Sequence, residues 1–202
     1  NGIFGSQGLM NGASDFAVEC IQHRSAGAYI CGEETALLEA VEGKRGWPRV
    51  KPPFPTDKGL FGRPTIINNV ETLAAVPLIV EHGADWWKSF GCTSSIGEPA
   101  SYGLKLMGVS GHVNNPDVFE VELGIPLRTL IEQHAGGMRD GRRFKGAIAG
   151  GVSTGILGTD QYDAEMDFDI GKKHAVMGLG TACPTIFDEG TDMVAVARNI
   201  AR

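Results

Sequence analysis

Three short stretches of this sequence carry side chains that could contact a ligand. In the first, Tyr29 precedes Gly32-Glu33-Glu34. A glycine at a turn lets backbone N–H groups approach a planar or anionic group, and an aromatic just before it can stack or hydrogen-bond. The local alternative is that Glu33 and Glu34 complement the positive end of a helix dipole while Tyr29 sits at a core edge. In the second stretch, Lys51 and Phe54 stand among Pro48, Pro52, Pro53 and Pro55. Proline holds backbone extended at low entropic cost, so Phe54 offers a stacking face and Lys51 an anion contact. Equally, Phe54 packs on its own domain and Lys44, Arg45, Arg49 and Lys51 form a solvated basic loop. The third stretch is Asn68-Asn69-Val70-Glu71-Thr72. Two adjacent amides exceed what one helix cap needs, leaving Asn69 free for a ligand's carbonyls or hydroxyls. A turn followed by a cap accounts for the same residues.

A different chemistry is advertised by Gly151-Val152-Ser153-Thr154-Gly155, which matches the nucleophile elbow of an esterase, with Asp169 and His174 following in the right chain order. That elbow needs an amphipathic helix directly after the serine. Ile156-Leu157-Gly158-Thr159-Asp160 is interrupted by Gly158 and does not supply one.

The elements that must position the three stretches follow from local pattern. Residues Ala26 to Ile30 are small and apolar and lead through Cys31-Gly32 into a helix, giving strand, glycine turn and helix. Leu37, Leu38, Ala40 and Val41 form its expected buried stripe, and Gly43 stops it. The proline track 44–55 is expected to run extended and exposed. Thr65-Ile66-Ile67 forms a second short strand, and Asn68 to Glu71 open a helix that runs to about His82, ended by Gly83. Strand-to-helix junctions are where open α/β sheets bind ligands. A linker is expected at 91–100 from Gly91, Ser94, Ser95, Gly97 and Pro99. Beyond it, Tyr102–Ser110 and Val118–Leu123 form a hairpin across Asn114-Asn115-Pro116-Asp117. A short helix, Leu127–His134, is closed by Gly136-Gly137, and Phe144–Ala149 is a further strand. That order indicates a compact α+β unit of the β-grasp kind. From Lys172 the chain is expected to return to the first unit through a strand within Gly178–Phe187, after a glycine-rich approach and before a helical stretch from Thr191 to Arg202.

Composition narrows the function classes. The chain has 202 residues and a formal net charge of −6, which disfavours a nucleic-acid binder, with 42% hydrophobic residues, enough for one domain or two small ones. Its 29 glycines are about twice the usual ~7%, without a collagen period. The longest apolar run, Leu73 to Val80, contains Pro77 and falls far short of the ~20 residues that span a bilayer. Cys20, Cys31, Cys92 and Cys183 never form a C-x-x-C pair and the histidines are dispersed, so no metal ligands are expected. Free thiols and no signal peptide indicate a reducing compartment. The first residue is Asn1 and the last helical stretch has no cap, as expected of an excerpt.

Five ordered blocks carry a family resemblance: Gly27-Ala28-Tyr29-Ile30-Cys31-Gly32-Glu33-Glu34-Thr35-Ala36-Leu37, Glu42-Gly43-Lys44-Arg45-Gly46, Lys51-Pro52-Pro53-Phe54-Pro55, Gly59-Leu60-Phe61-Gly62 and Asn68-Asn69-Val70-Glu71-Thr72. Together they resemble the NADH-oxidising, FMN-binding flavoprotein subunit of respiratory complex I and the related diaphorase subunits of soluble NAD-dependent hydrogenases and formate dehydrogenases. Val109-Ser110-Gly111-His112-Val113 and Gly150-Gly151-Val152-Ser153 resemble that family's soluble-ligand-binding β-grasp domain. The resemblance implies an α/β fold, part of a Rossmann-like FMN-binding domain, over 1–98. It also implies an α+β β-grasp domain over 99–170, then a return strand and the start of a linker helix over 171–202.

By the same resemblance Tyr29, Gly32, Glu33, Asn68, Asn69 and Thr72 line FMN, and Glu34, Lys51 and Phe54 lie near NADH, with Phe54 stacked on the adenine. The implied chemistry is hydride transfer from NADH to FMN, then single electrons to an iron–sulfur cluster and on to quinone. No side chain here serves as acid, base or nucleophile. The family's glycine-rich loop and its cluster-ligating cysteine motif are absent from this sequence, and Gln7 to Ser14, which lie outside the residues described below, read as an extra or altered loop before Tyr29. The resemblance therefore implies part of a flavin site, a 4Fe-4S cluster ligated elsewhere, and little activity in isolation. It also implies partner subunits, notably a thioredoxin-like iron–sulfur subunit, and a place in the cytoplasm or on the cytoplasmic side of a bacterial inner membrane. A non-catalytic β-grasp binding module is the competing expectation.

Overall fold

The computed structural model describes residues 21–25, 27–92 and 101–202. The chain divides into two units, Asn1–Leu73 and Ala74–Arg202, and the division falls within a helix.

In the first unit, Tyr29–Gly32 form a 3-10 turn and Glu34–Val41 form helix α1. A strand is expected at 26–30; Ala26 lies outside the described residues, and the others close on themselves. The Cys31 N–H donates to Ala28 O and the Glu33 N–H to Ile30 O, both at 3.0 Å. The turn is set by Glu33, whose carboxylate caps α1 by accepting from the backbone of Thr35 and Ala36. The buried face of α1 is also rotated from the expected stripe: Thr35, Ala36 and Leu38 are buried, whereas Leu37 is exposed. Gly43, at φ 77°, ends the helix as expected.

The proline track has no regular structure from Arg45 to Val50, with a tight turn where the Trp47 N–H donates to Arg45 O at 2.7 Å, and then bends at 51–53, where the Lys51–Pro52 and Pro52–Pro53 peptides are cis. Helix α2, Pro55–Lys58, follows, with Pro55 in the first turn, where its missing N–H costs nothing. After a 3-10 turn at Leu60–Gly62, residues 64–69 run without a partner strand. The expected strand at Thr65–Ile67 is absent because the hydrogen bonds of Thr65 go to Pro55 O and Leu60 N, not to a ladder. The first unit thus contributes helices and turns, and no strand among its described residues. Helix α3, Val70–His82, begins and ends where the sequence indicates, and the Glu71 N–H donates to Asn69 Oδ1 at 2.8 Å.

The second unit has a closed core. Helix α4, Ala84–Lys88, leads to two short strands, β1 Gly91–Cys92 and β2 Ser101–Tyr102, which pair antiparallel; residues 93–100 of the expected linker lie outside the described residues. The expected hairpin is β3, Leu104–Gly111, against β4, Asp117–Glu122. Helix α5, Leu127–Thr129, passes into a π turn over Leu130–His134, and Gly136 and Gly137 close it at φ 71° and 83°. Then come β5 Phe144–Ile148, β6 Ile156–Leu157, helix α6 Ile170–Lys173, β7 Thr185–Asp188 and helix α7 Met193–Ile200.

The five-stranded sheet runs β4-β3-β7-β5-β6. Strand β7 lies parallel to β3 and antiparallel to β5, at the middle of this sheet. It pairs within the sheet of the second unit, where the sequence reading has a strand returning to the first. Ile186, fully buried in one cluster with Met107 and Ala147, holds β7 there by apolar burial.

Candidate functional site

The N-terminus of α1 gathers the first two sets of candidate residues. Glu33 Oε2 accepts three donors: the Thr35 N–H at 2.9 Å, the Ala36 N–H at 2.8 Å and the Thr35 hydroxyl at 2.5 Å. Those bonds, the Thr35 hydroxyl foremost, hold the Glu33 carboxyl below its ordinary value, so it is an anion at neutral pH. Its other oxygen, Oε1, lies 3.5 Å from Lys51 Nζ, and Lys51 also pairs with Glu34. These carboxylates, Glu34 first, raise the Lys51 ammonium above the usual lysine value. The dipole-complementing role of Glu33 and a role toward a ligand are therefore compatible, because capping consumes one oxygen and leaves the other to Lys51, outside the helix cap.

The aromatic candidates are free. Tyr29 is 85% exposed and Phe54 54% exposed, too open for either to be a packing anchor of the described residues. At Gly32 a Cβ would meet nothing within 4 Å, so backbone and open space are presented together. Asn69 is the residue that caps α3, through its Oδ1. Its neighbour Asn68 is exposed and makes no hydrogen bond among the described residues, reversing the expected division of labour between the two amides. Thr72 is exposed in the first turn of α3.

Tyr29, Gly32, Glu33, Glu34 and Lys51 are brought together around one helix terminus. Phe54 follows on the same track, and Asn68, Asn69 and Thr72 form a separate group at the start of α3. Arg49, expected in a solvated loop, is pinned: Nε donates to Glu39 at 2.5 Å, Nη2 to Glu42 at 2.8 Å and Nη1 to Gly59 O at 2.9 Å. Its backbone N–H donates to the Thr35 hydroxyl at 2.8 Å. Sequence reasoning missed Thr35, Glu39, Glu42 and Arg49 as positioning groups. The available signal was two carboxylates three residues apart on one helix face, followed by a single arginine beside Pro48.

The esterase signature does not assemble. Ser153 lies in an exposed turn that leads into β6 rather than a helix. Asp169 pairs with Lys172 at 2.6 Å, and His174 Nδ1 lies 3.2 Å from Gln161 Nε2. Thr154, not Ser153, is the buried hydroxyl of the loop, accepting from Gly150 N–H and donating to Gly151 O. Two open cavities of the second unit, about 430 and 500 Å³, contain none of the proposed residues. Among the described residues no group of His, Cys, Asp and Glu is arranged to hold a metal ion, and no helix is long and apolar enough to cross a membrane.

Comparison with known proteins places the chain beside flavoprotein subunits of NADH dehydrogenases. Residues 10–78 match the Nuo51 FMN-binding domain and residues 106–157 the SLBB domain. An NADH-quinone oxidoreductase subunit of Rickettsia typhi is 49% identical over 187 residues, covering 92% of this chain and 43% of the relative. The mitochondrial NADH dehydrogenase (ubiquinone) flavoprotein 1 of Dictyostelium discoideum is 48% identical, covering 89% of this chain and 36% of the relative. A crystal structure of an NAD+-reducing NiFe hydrogenase in the H2-reduced state superposes with a TM-score of 0.69 at 37% identity, over 85% of this chain and 27% of that one. The chain thus spans less than half the length of these curated relatives.

Proposed function

We infer that this chain, which belongs with the NADH dehydrogenase flavoproteins and carries their Nuo51 FMN-binding and SLBB domains, is part of a subunit that takes hydride from NADH onto FMN and passes the electrons onward. The single observation that carries the reading is the cluster at the N-terminus of α1. One carboxylate is fixed by three donors, a lysine is held between two acids, and an exposed tyrosine stands beside an open glycine. The donor set fits FMN: outward amides and hydroxyls at Asn68, Asn69 and Thr72 match the carbonyls and ribityl hydroxyls of a flavin, and Gly32 leaves the approach open.

FMN, when bound, supplies the two-electron to one-electron conversion. The protein's residues bind and orient. Tyr29, Gly32, Glu33, Asn68, Asn69 and Thr72 hold the flavin; Glu34, Lys51 and Phe54 hold NADH, with Phe54 stacking on its adenine. Fixing two rings in contact is the contribution that positioning makes to rate, and no side chain here moves a proton. The flavin phosphate belongs to the family's glycine-rich loop, and a 4Fe-4S cluster to its cysteine motif.

On this reading residues 1–98 hold part of a Rossmann-like domain, and 99–188 a β-grasp domain. The hairpin β3–β4, the helix α5 and the parallel pairing of β7 with β3 support the second assignment. The β-grasp domain serves structure or subunit docking, the partners include a thioredoxin-like iron–sulfur subunit, and the assembly works in the cytoplasm or on the cytoplasmic side of an inner membrane. The hydrogenase superposition favours a second reading with the same site, a diaphorase subunit of a soluble enzyme. The test is equilibrium dialysis of the full-length subunit against FMN, and then NADH oxidation with ferricyanide. Retained flavin and NADH-dependent turnover are expected; loss of both favours a β-grasp binding module.

A further inference from the structure

Thr35 is 1% exposed and uses its hydroxyl in both directions, donating to Glu33 Oε2 at 2.5 Å and accepting from the Arg49 N–H at 2.8 Å. Capping α1 requires neither bond, because the Thr35 and Ala36 amides already satisfy Glu33 Oε2. What the hydroxyl adds is a link between the carboxylate assigned to the flavin and the backbone of the track that carries Lys51 and Phe54. That track is fastened again by the Arg49 guanidinium to Glu39, Glu42 and Gly59 O. Its far end is fastened where Pro55 O accepts the Thr65 N–H at 2.9 Å. Between the two fastenings, Lys51 reaches back to Glu33 and Glu34.

We propose that Thr35 is a positioning residue that couples the flavin-side carboxylate of Glu33 to the dinucleotide-side track, setting the distance at which Lys51 and Phe54 meet NADH. The proposal rests on the function inferred above. Removing the hydroxyl leaves the Arg49 N–H without its acceptor and frees Glu33 from its third donor, so both sides loosen together.

The test uses the full-length, FMN-loaded subunit with Thr35→Val, Thr35→Ser and Lys51→Met. In Thr35→Val, the KM for NADH per bound flavin is expected to rise about tenfold, the scale of one lost hydrogen bond, with FMN retained and Thr35→Ser close to wild type. The effect of Lys51→Met on KM shrinks in the Thr35→Val background, because the lysine is already displaced. Flavin loss with an unchanged KM in the flavin-loaded molecules, or full additivity with Lys51→Met, overturns the proposal. If Thr35→Val yields no folded protein, Thr35→Cys, which is close to threonine in volume and weakens both bonds, gives the same readout at smaller amplitude. A wild-type subunit that neither retains FMN nor oxidises NADH refutes the function instead, and is seen before any variant is made.

Discussion

In residues 104–188 the side chains are held by apolar burial, with Met107, Leu130, Ile131, Leu157 and Ile186 all fully enclosed around a five-stranded sheet. Among the described residues of 21–73, burial reaches only Thr35, Ala36, Leu38, Pro55 and Gly59, and charge pairs and backbone acceptors do the fixing. The difference has a consequence for function. A region organised by polar pins leaves its aromatic and amide groups outward, where a planar ligand can use them. A region organised by a core spends its apolar groups on itself. The first is expected to respond to pH and salt, the second to volume.

The largest expected effect is therefore on the core side. Ile186→Ala, in the middle strand, should cost about 4 kcal/mol of unfolding free energy, read from urea denaturation followed by circular dichroism. A loss below about 1 kcal/mol would show that β7 is not the keystone of the sheet. Next is a charge cluster built around the fully buried Asp167 of the second unit. Lys173 Nζ lies 2.6 Å from Asp167, which is fully buried, and 2.6 Å from the half-exposed Glu165, and these partners keep it protonated against the opposing effect of burial. Asp167→Ala should cost about 3 kcal/mol in the same assay, because it strands a largely buried ammonium with Glu165 alone.

On the first unit, stability barely matters and binding does. Phe54→Ala in the full-length subunit should weaken NADH binding about tenfold, as loss of a stacking face does, with FMN still bound and the urea midpoint unchanged. Flavin loss with unaltered NADH affinity would move the proline track from the dinucleotide to the flavin. The smallest effect is electrostatic. The Glu42 carboxyl is pulled from 4.5 down to about 2 by Lys44 first and then Arg49. A depressed carboxyl contributes stability above its unfolded value, and that contribution is lost as pH falls through the folded value. Between about pH 4.5 and pH 2 the urea midpoint should drop, and Glu42→Gln should flatten that drop without altering the pH response of the core.

What is legible in the sequence divides along the same line. Helices α1 and α3, the β3–β4 hairpin and the glycine closure at 136–137 follow from contacts within a few residues, so local pattern suffices. The strands expected at 26–30 and 65–67 fail because a strand exists only with a partner, and apolar composition does not say whether one is available. Strand β7 is legible as a strand but not in its placement, since its pairing with β3 joins residues about 75 apart in sequence. At the candidate site, the outward residues Tyr29, Lys51 and Phe54 are visible by type. The Thr35 and Arg49 pins are not, because an ordinary threonine and arginine acquire their roles only through bonds that span 14 and 10 residues.

The most direct test is hydrogen–deuterium exchange of the full-length subunit with and without FMN. Within residues 21–202 of this chain, slowed exchange confined to 28–35 and 66–73, with 104–188 unchanged, is the result expected if the polar-pinned region contributes to the flavin's seat. Protection within 104–188 alone, or none at the α1 and α3 termini, would contradict it.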